Sequence, residues 1–225
     1  MLKPSKCSKL SVRGEKNSFG LPPVTSCPGA TDTCKEVCYV HKFVKIYPGV
    51  KPTLEGNLEE CERIIRESGP EGLTDALVQM VRGEVGRAGC FRIHWSGDFY
   101  SAEYAQAWRD TIAMMPTVQF WTYTRSFHLV PLFEPVQGNL RLYLSLDQDN
   151  WQKGLETASL WPHALLSSMG MEETWEKTKG LGSTRWFNCP AEAGGKLHGV
   201  RGACQICGVC VFSRSPNMVN FPLHR

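Results

Sequence analysis

The chain has 225 residues, of which 42% are hydrophobic and 21% are charged, and its formal net charge is +3 at pH 7. These values are typical of a folded globular protein and exclude an intrinsically disordered chain. The chain has no run of about 18 apolar residues, and its first twenty residues are polar and basic, so we expect no membrane partner, no secretory signal and a cytoplasmic location.

The N-terminal quarter of the chain, residues 1–57, is rich in Gly, Pro, Lys and Cys and shows little periodicity. Regular structure is predicted to begin near Leu58, because apolar residues at helical spacing favour helices over 58–68 and 73–85. A strand is predicted over 90–95. Ser101 is a candidate cap for a helix whose inner face is Tyr104, Trp108 and Ile112.

The strand and helix pattern then repeats. Strands are predicted over 117–123, 140–146 and 183–188, a helix or loop over 125–136, and helices around 151–158 and 171–179. Such alternation favours parallel βαβ units. We expect a single α/β domain over 1–225, with a Cys/Gly/Pro-rich segment at 1–57, βα repeats at 58–188 and a Cys-rich metal-binding segment at 189–225. A reduced TIM-type barrel fits best, and an open doubly wound sheet is the alternative.

Polar residues follow three of the predicted strands, where parallel α/β folds collect their catalytic groups. Asp98 and Asp147 are the candidate catalytic residues, as nucleophile and general acid or base. The ordinary alternative for each aspartate is a structural cap. Arg125 is a candidate to hold a phosphate or to pair with one of these acids. The candidate substrate-binding residues are Ser96, Gly97, Phe99, Arg125, His94 and Asp149, and a core role for His94 is at least as plausible.

The C-terminal cysteines predict a metal site. Cys204, Cys207 and Cys210 form C-x2-C-x2-C, with Cys189 upstream. Zinc in a closed structural site needs a fourth ligand, for which Cys189, His198 and His224 are candidates. The same spacing occurs in iron–sulfur proteins, so a [4Fe-4S] cluster is the alternative to Zn2+.

A second group of cysteines, Cys27, Cys34 and Cys38, has the less common spacing C-x6-C-x3-C. The absence of a secretory signal argues against a disulfide knot. Three thiolates would leave one coordination position of a [4Fe-4S] cluster open for another ligand. A structural zinc and a group of unligated thiols are the alternatives.

Charge is unevenly distributed along the chain. Residues 1–51 contain nine Lys and Arg against three acids, and residues 177–225 contain seven against one. Two basic ends indicate a surface for a polyanion such as DNA, and solvated lysines are the alternative.

Several stretches of the sequence resemble a phage-encoded family of uncharacterised gene products: 18–39, 91–108, 119–126 and the C-terminal cysteines followed by 220–224. Over fewer residues, namely the turn at 95–99, Asp147 and the C-terminal cysteines with His224, the chain is similar to phage DNA transglycosylases related to queuine tRNA-ribosyltransferase. That resemblance implies exchange of guanine in DNA for a 7-deazaguanine base such as preQ0. Asp98 would lie in the substrate-binding turn and Asp147 would attack the sugar. Cys27, Cys34 and Cys38 have no counterpart in the tRNA enzymes.

Three hypotheses follow from the sequence. The first is a base-exchanging DNA transglycosylase with an aspartyl intermediate, whose partners are DNA and a 7-deazaguanine base. The second is an iron–sulfur, radical-type enzyme with an N-terminal cluster and a C-terminal auxiliary cluster. The third is a non-catalytic DNA-binding module stabilised by zinc.

Overall fold

The computed structural model describes residues 1–6, 9, 14–85, 89–157, 163–167, 176, 186–192, 194–213 and 218–222. These residues form a mixed α/β structure around one parallel sheet of seven strands in the order β1-β2-β3-β4-β5-β7-β6. The strands are β1 (Ser18–Gly20), β2 (Cys90–Ser96), β3 (Gln119–Thr124), β4 (Leu140–Leu146), β5 (His163–Ser167), β6 (Trp186–Asn188) and β7 (Met218–Pro222).

The predicted α/β class with parallel strands is confirmed, and the barrel is not. Within the described ranges β1 and β6 are the edge strands of the sheet, and no pairing joins them. The first five strands are neighbours in chain order, which is the arrangement that successive βα units produce. Their carboxyl ends therefore meet at one edge of the sheet.

The helices connect and cover these strands. They are α1 (Asp32–Glu36), α2 (Val40–Ile46), α3 (Val50–Glu84), α4 (Ala102–Met114), α5 (Trp151–Thr157), α6 (Ala203–Cys207) and α7 (Val209–Phe212), with a 3-10 helix at Phe127–Val136. Ser101 caps α4 by accepting a hydrogen bond from the Tyr104 amide, as predicted. Glu176 is helical, and the rest of the helix predicted over 171–179 lies outside the described residues.

The two helices predicted over 58–68 and 73–85 are both present within α3, separated by a kink at Gly69, and the first of them begins earlier than predicted, at Val50. Gly69 has φ +65° and ψ −173°, and Pro70 follows it inside α3. Proline removes one helical hydrogen bond and glycine tolerates the left-handed backbone, so the kink lies where both occur. None of the described helices is both long and apolar enough to cross a membrane.

The prediction that regular structure begins near Leu58 is wrong. β1 lies in the segment that lacks periodicity and pairs in parallel with β2, with Ser18 opposite Arg92. α1 and α2 also precede residue 50. Three to seven residues are too few to show a sequence period, and β1 is stabilised by its long-range partner rather than by local preference.

The sheet has two differently covered faces. On one face, side chains such as Phe91, Phe120 and Leu142 form the main core together with α3 and α4, including Trp108. On the other face, Trp121 and Tyr143 pack against the C-terminal segment that contains Val209 and Val211. The Cys-rich C-terminal segment is therefore a layer of the fold that covers the second face.

Candidate functional site at the strand ends

Three polar side chains meet where β2, β3 and β4 end. Asp98 follows β2, Arg125 follows β3 and Asp147 follows β4, and the strands are adjacent and parallel. Both aspartates contact Arg125, Asp98 through the backbone amide and Asp147 through the guanidinium. We call these residues together with Thr31 the strand-end network.

Asp98 is buried and its carboxylate accepts three hydrogen bonds. The donors are the Thr124 hydroxyl at 2.7 Å, the Phe99 amide at 2.8 Å and the Arg125 amide at 2.8 Å. Burial raises the pKa of Asp98, and the three hydrogen bonds oppose that shift because they favour the charged form. With 5% exposure, this carboxylate ties the loops after β2 and β3 together.

Asp147 has no exposed surface and forms a buried ion pair with Arg125. Its Oδ2 accepts from an Arg125 guanidinium nitrogen at 2.9 Å and from the Thr31 hydroxyl at 2.6 Å, and its Oδ1 accepts from the Asp149 amide at 3.0 Å. Another guanidinium nitrogen of Arg125 donates to the Ser145 hydroxyl at 2.6 Å. The geometry gives Asp147 the contacts of a positioning residue.

The strand-end network holds the segment that carries the N-terminal cysteines. Thr31 is the N-cap of α1 and accepts from the Cys34 amide at 3.0 Å while donating to Asp147. The exposed Asp149 accepts from the Thr33 amide at 2.9 Å, and the hydrogen bonds from Thr33 lower the pKa of Asp149. Residues 27–38, the cysteine loop, are therefore fastened to the loop that follows β4.

Close backbone packing fixes the other side of the cysteine loop. A Cβ on Gly29 would lie 2.2 Å from the carbonyl oxygen of Arg125. Gly97 has φ +81°, and a Cβ there would lie 2.6 Å from the Ser26 hydroxyl. Past the far end of the loop, the Tyr39 hydroxyl donates to the carbonyl of Trp95. Glycine is required at position 29 because the Arg125 backbone leaves no room for a Cβ, and at position 97 because of its positive φ and the nearby Ser26 side chain.

The three thiols of the cysteine loop are half-buried and influence one another. Burial, then the charge of Asp98, raises the pKa of Cys27 to about 12, and Cys34 and Cys38 add to that rise. Burial also raises the pKa of Cys34, and the neighbouring Arg125 opposes this shift. The structure thus brings the predicted cysteines and the predicted strand-end residues into one site.

The C-terminal cysteines lie against the second face of the sheet. Cys189 and Cys210 pack in one cluster with Tyr143, and Cys204 packs beside Trp121. Burial raises the pKa of Cys210 to about 12, and its hydrogen bond with Tyr123 opposes the rise. Burial likewise raises the pKa of Cys189, which lies within electrostatic reach of Cys207.

All nine described cysteines are free thiols. Within the described ranges, no three side chains of His, Cys, Asp or Glu are arranged to hold a single metal ion. Of the two histidines proposed as fourth ligand, His198 is exposed and His224 lies outside the described residues. The metal assignments made from sequence therefore stay predictions.

The other predicted substrate-binding residues form part of the packing around the site. The Ser96 hydroxyl donates to the Leu21 carbonyl at 2.7 Å. Phe99 is completely buried against Phe133 and His94, with ring centroids 4.8 and 4.7 Å away. His94 Nε2 lies 3.0 Å from the Tyr104 hydroxyl. Burial favours the core role for His94 over contact with a substrate.

We expect His94 to make the fold sensitive to acid. Burial, assisted by the charge of Arg92, lowers the pKa of His94 to about 3 from an ordinary value of 6.5. Near neutral pH and below, the unfolded chain takes up a proton on His94 more readily than the folded chain does. The free energy of unfolding therefore decreases as the pH falls below the pKa of His94 in the unfolded chain. Urea unfolding should report a loss of about 2 kcal/mol from about pH 7 to about pH 5. His94→Gln should flatten that dependence, and an unchanged profile in this variant would contradict the assignment.

Two residues of the site were missed in the sequence. Thr31 and Thr33 connect the cysteine loop to Asp147 and Asp149. Thr31 carries a recognisable signal, because a threonine directly before a short acidic helical turn is a common N-cap. Its second hydrogen bond to Asp147 depends on a residue 116 positions away, for which the sequence offers no signal.

The fold and the site define an α/β protein with a parallel sheet, whose strand-end carboxylates and arginine hold a loop of three cysteines. The chain belongs to the gene product 88 family, whose model matches residues 3–213. It is 34% identical over 212 residues to the gene 88 protein of Mycobacterium phage L5, covering 89% of this chain and 85% of the relative. It is 32% identical over 214 residues to the gene 88 protein of Mycobacterium phage D29, with the same coverage. No solved structure matches the chain.

The family assignment confirms the resemblance to phage gene products that was drawn from the sequence motifs. The matched region includes both groups of cysteines and all strand-end residues, and it ends before residues 220–224. The relatives are named only as gene 88 proteins, so the relation to transglycosylases stays a prediction.

Proposed function

We propose that the chain is an iron–sulfur enzyme in which Cys27, Cys34 and Cys38 hold a [4Fe-4S] cluster that has one iron open to a ligand. The observation that carries this proposal is the position of the cysteine loop. It follows β1 and is fastened over the carboxyl ends of β2, β3 and β4, where parallel α/β enzymes bind their reactants.

The donor chemistry of the cysteine loop supports this proposal. Thiolates are the usual protein ligands of iron–sulfur clusters. The three thiols lie within electrostatic reach of one another. Negative charge on Cys34 or Cys38 raises the pKa of Cys27, and negative charge on Cys38 raises the pKa of Cys34. Bound iron would offset that repulsion.

The chain's own residues have separate roles in this proposal. Asp147 and Thr31 orient Cys34, and Asp98 fixes the turn that touches Ser26, one residue before Cys27. Arg125 keeps a positive charge beside Cys34 and favours its thiolate. When bound, the cluster would supply one-electron, radical-type chemistry at the strand ends.

The C-terminal cysteines support a second, separate metal. Cys189, Cys204 and Cys210 pack on the second face of the sheet. The C-x2-C-x2-C spacing of Cys204, Cys207 and Cys210, with Cys189 upstream, supports a structural zinc by its donor types, although the three side chains are not arranged around one point in the described structure. An auxiliary iron–sulfur cluster is the alternative occupant. Either would stabilise the layer that covers Trp121 and Tyr143.

Iron, sulfide and zinc analysis of protein purified without oxygen tests the proposal. We expect a brown protein with about four irons and four acid-labile sulfides per chain from the cysteine loop. Cys27→Ser, Cys34→Ser and Cys38→Ser should each lose that iron. Cys61→Ala is the control, because Cys61 lies in the main core and its removal affects stability only. Zinc without sulfide in the intact protein would overturn the proposal.

The second candidate is the base-exchanging transglycosylase, and the contact of both Asp98 and Asp147 with Arg125 favours it. Their burial weighs against it, because a nucleophile must reach the sugar carbon. Incubation of labelled 7-deazaguanine bases with duplex DNA distinguishes the two candidates. Incorporation that Asp147→Asn abolishes would favour the transglycosylase, and none across several bases would count against it.

A further inference from the structure

Helix α2 exposes a row of aromatic rings beside the site. Phe43 and Tyr47 are 42% and 53% exposed, whereas Val40 on the same helix is buried. The rings of Phe43 and Tyr47 lie 6.0 Å apart at an interplanar angle of 30°, and Tyr39 meets Phe43 edge-on at 6.0 Å. We call these three residues the α2 ring row. Exposed rings that follow one another in this way are unusual on a surface that contacts only water.

Positive charge accompanies the α2 ring row. Residues 37–54 contain three lysines and no Asp or Glu. Lys42 and Lys45 are exposed, and Lys51 contacts Glu55 at 3.7 Å. Aromatic rings interleaved with unopposed lysines are the surface that binds single-stranded nucleic acid, where bases stack on the rings and lysines face the phosphates.

The α2 ring row borders the strand-end site directly. Phe43 packs edge-on against Trp95 of β2 with ring centroids 6.3 Å apart. Tyr39 follows Cys38 immediately, and its hydroxyl bonds to the Trp95 carbonyl. A single-stranded nucleic acid that stacks on these rings would therefore pass the cysteine loop.

We infer that the α2 ring row, with Lys42 and Lys45, binds single-stranded nucleic acid by stacking bases on Phe43 and Tyr47. Binding itself depends only on this surface. The further step, in which the bound nucleic acid is the substrate of the site formed by the strand-end network and the cysteine loop, rests on the proposed function.

Fluorescence anisotropy with short labelled single strands of DNA and of RNA tests the inference. Tyr47→Leu should weaken binding about tenfold, because it removes an aromatic ring on which one base stacks. Tyr47→Phe keeps the ring and should bind like the unaltered protein. The double substitution Lys42→Ala and Lys45→Ala should make the affinity less dependent on salt. The slope of log affinity against log salt concentration should be smaller in magnitude by about 1.4.

Matched variants separate this surface from general charge and from folding. Ile46→Ala removes a 55% exposed apolar side chain of the same helix, and Lys16→Ala removes an exposed charge ahead of β1. Both should bind normally. The inference would be overturned if the protein bound a duplex as tightly as a single strand and if Tyr47→Leu left the affinity for the single strand unchanged. So would a dimer in sedimentation that Tyr47→Leu dissociates, which would assign the surface to a second copy of the chain.

Iron content measured on the same preparations distinguishes the two proposals. Loss of binding in Tyr47→Leu with normal iron supports the inference whatever the cluster does. Unaltered binding in Cys34→Ser together with iron absent from every preparation would remove the proposed function and leave the nucleic-acid surface intact.

Discussion

Asp147→Asn is expected to lower the free energy of unfolding by about 3 kcal/mol, because it leaves the Arg125 guanidinium buried without its counter-charge. The side chain of Arg125 is 11% exposed and that of Asp147 is fully buried. The substitution also weakens the hydrogen bond that Asp147 accepts from Thr31. Urea unfolding followed by circular dichroism measures the effect.

Asp149→Asn is the matched control for this substitution. Asp149 is exposed and accepts a hydrogen bond from the Thr33 amide, which an asparagine oxygen can still accept. Stability should change little. If Asp147→Asn instead unfolds like the unaltered protein and only abolishes base exchange, Asp147 is a nucleophile and not a positioning residue.

Gly29→Ala is expected to cost about 2 kcal/mol or more of folding free energy, since overpacking at a fixed backbone contact is destabilising. The new Cβ would lie 2.2 Å from the Arg125 carbonyl oxygen and 2.6 Å from its carbonyl carbon. Neither atom belongs to a flexible side chain. The cysteine loop must move away from the strand ends, so Cys27 and Cys34 should react faster with a thiol reagent.

Gly56→Ala is the control for the glycine substitution. A Cβ on Gly56 meets nothing within 4 Å, and Gly56 lies inside α3. Alanine should stabilise the helix there by about 0.5–1 kcal/mol. Slower or unchanged thiol modification in Gly29→Ala would mean that the loop is not held against Arg125.

Local patterns predicted most of the regular elements. The apolar runs at 90–95 and 140–146 correspond to β2 and β4, because a strand covered on both faces must be apolar throughout. The cap at Ser101 was recognised because capping uses residues three positions apart. β1 was missed because three residues carry no period, and its existence depends on pairing with β2.

The candidate site was only partly predictable. Asp98, Arg125 and Asp147 were identified from their position after strands, and the structure brings them together. The pairing of Arg125 with one of the two acids was predicted, and the structure shows that Asp147 is its partner. The three hydrogen bonds that Asp98 accepts were not predictable from the sequence. The resemblance to transglycosylases predicted Asp147 as the nucleophile. In the structure its carboxylate is buried, paired with Arg125 and hydrogen-bonded to Thr31.

By itself, the sequence determined the parallel α/β class and the strand-end residues, because periodicity and strand ends are local properties of the chain. Only the tertiary structure decided that the cysteine loop lies on the strand-end network. The contact joins Thr31 to Asp147 across 116 residues, and Gly29 to the Arg125 backbone. Such contacts depend on how β1 pairs and where each loop ends, which the folded chain sets through long-range packing rather than through local pattern.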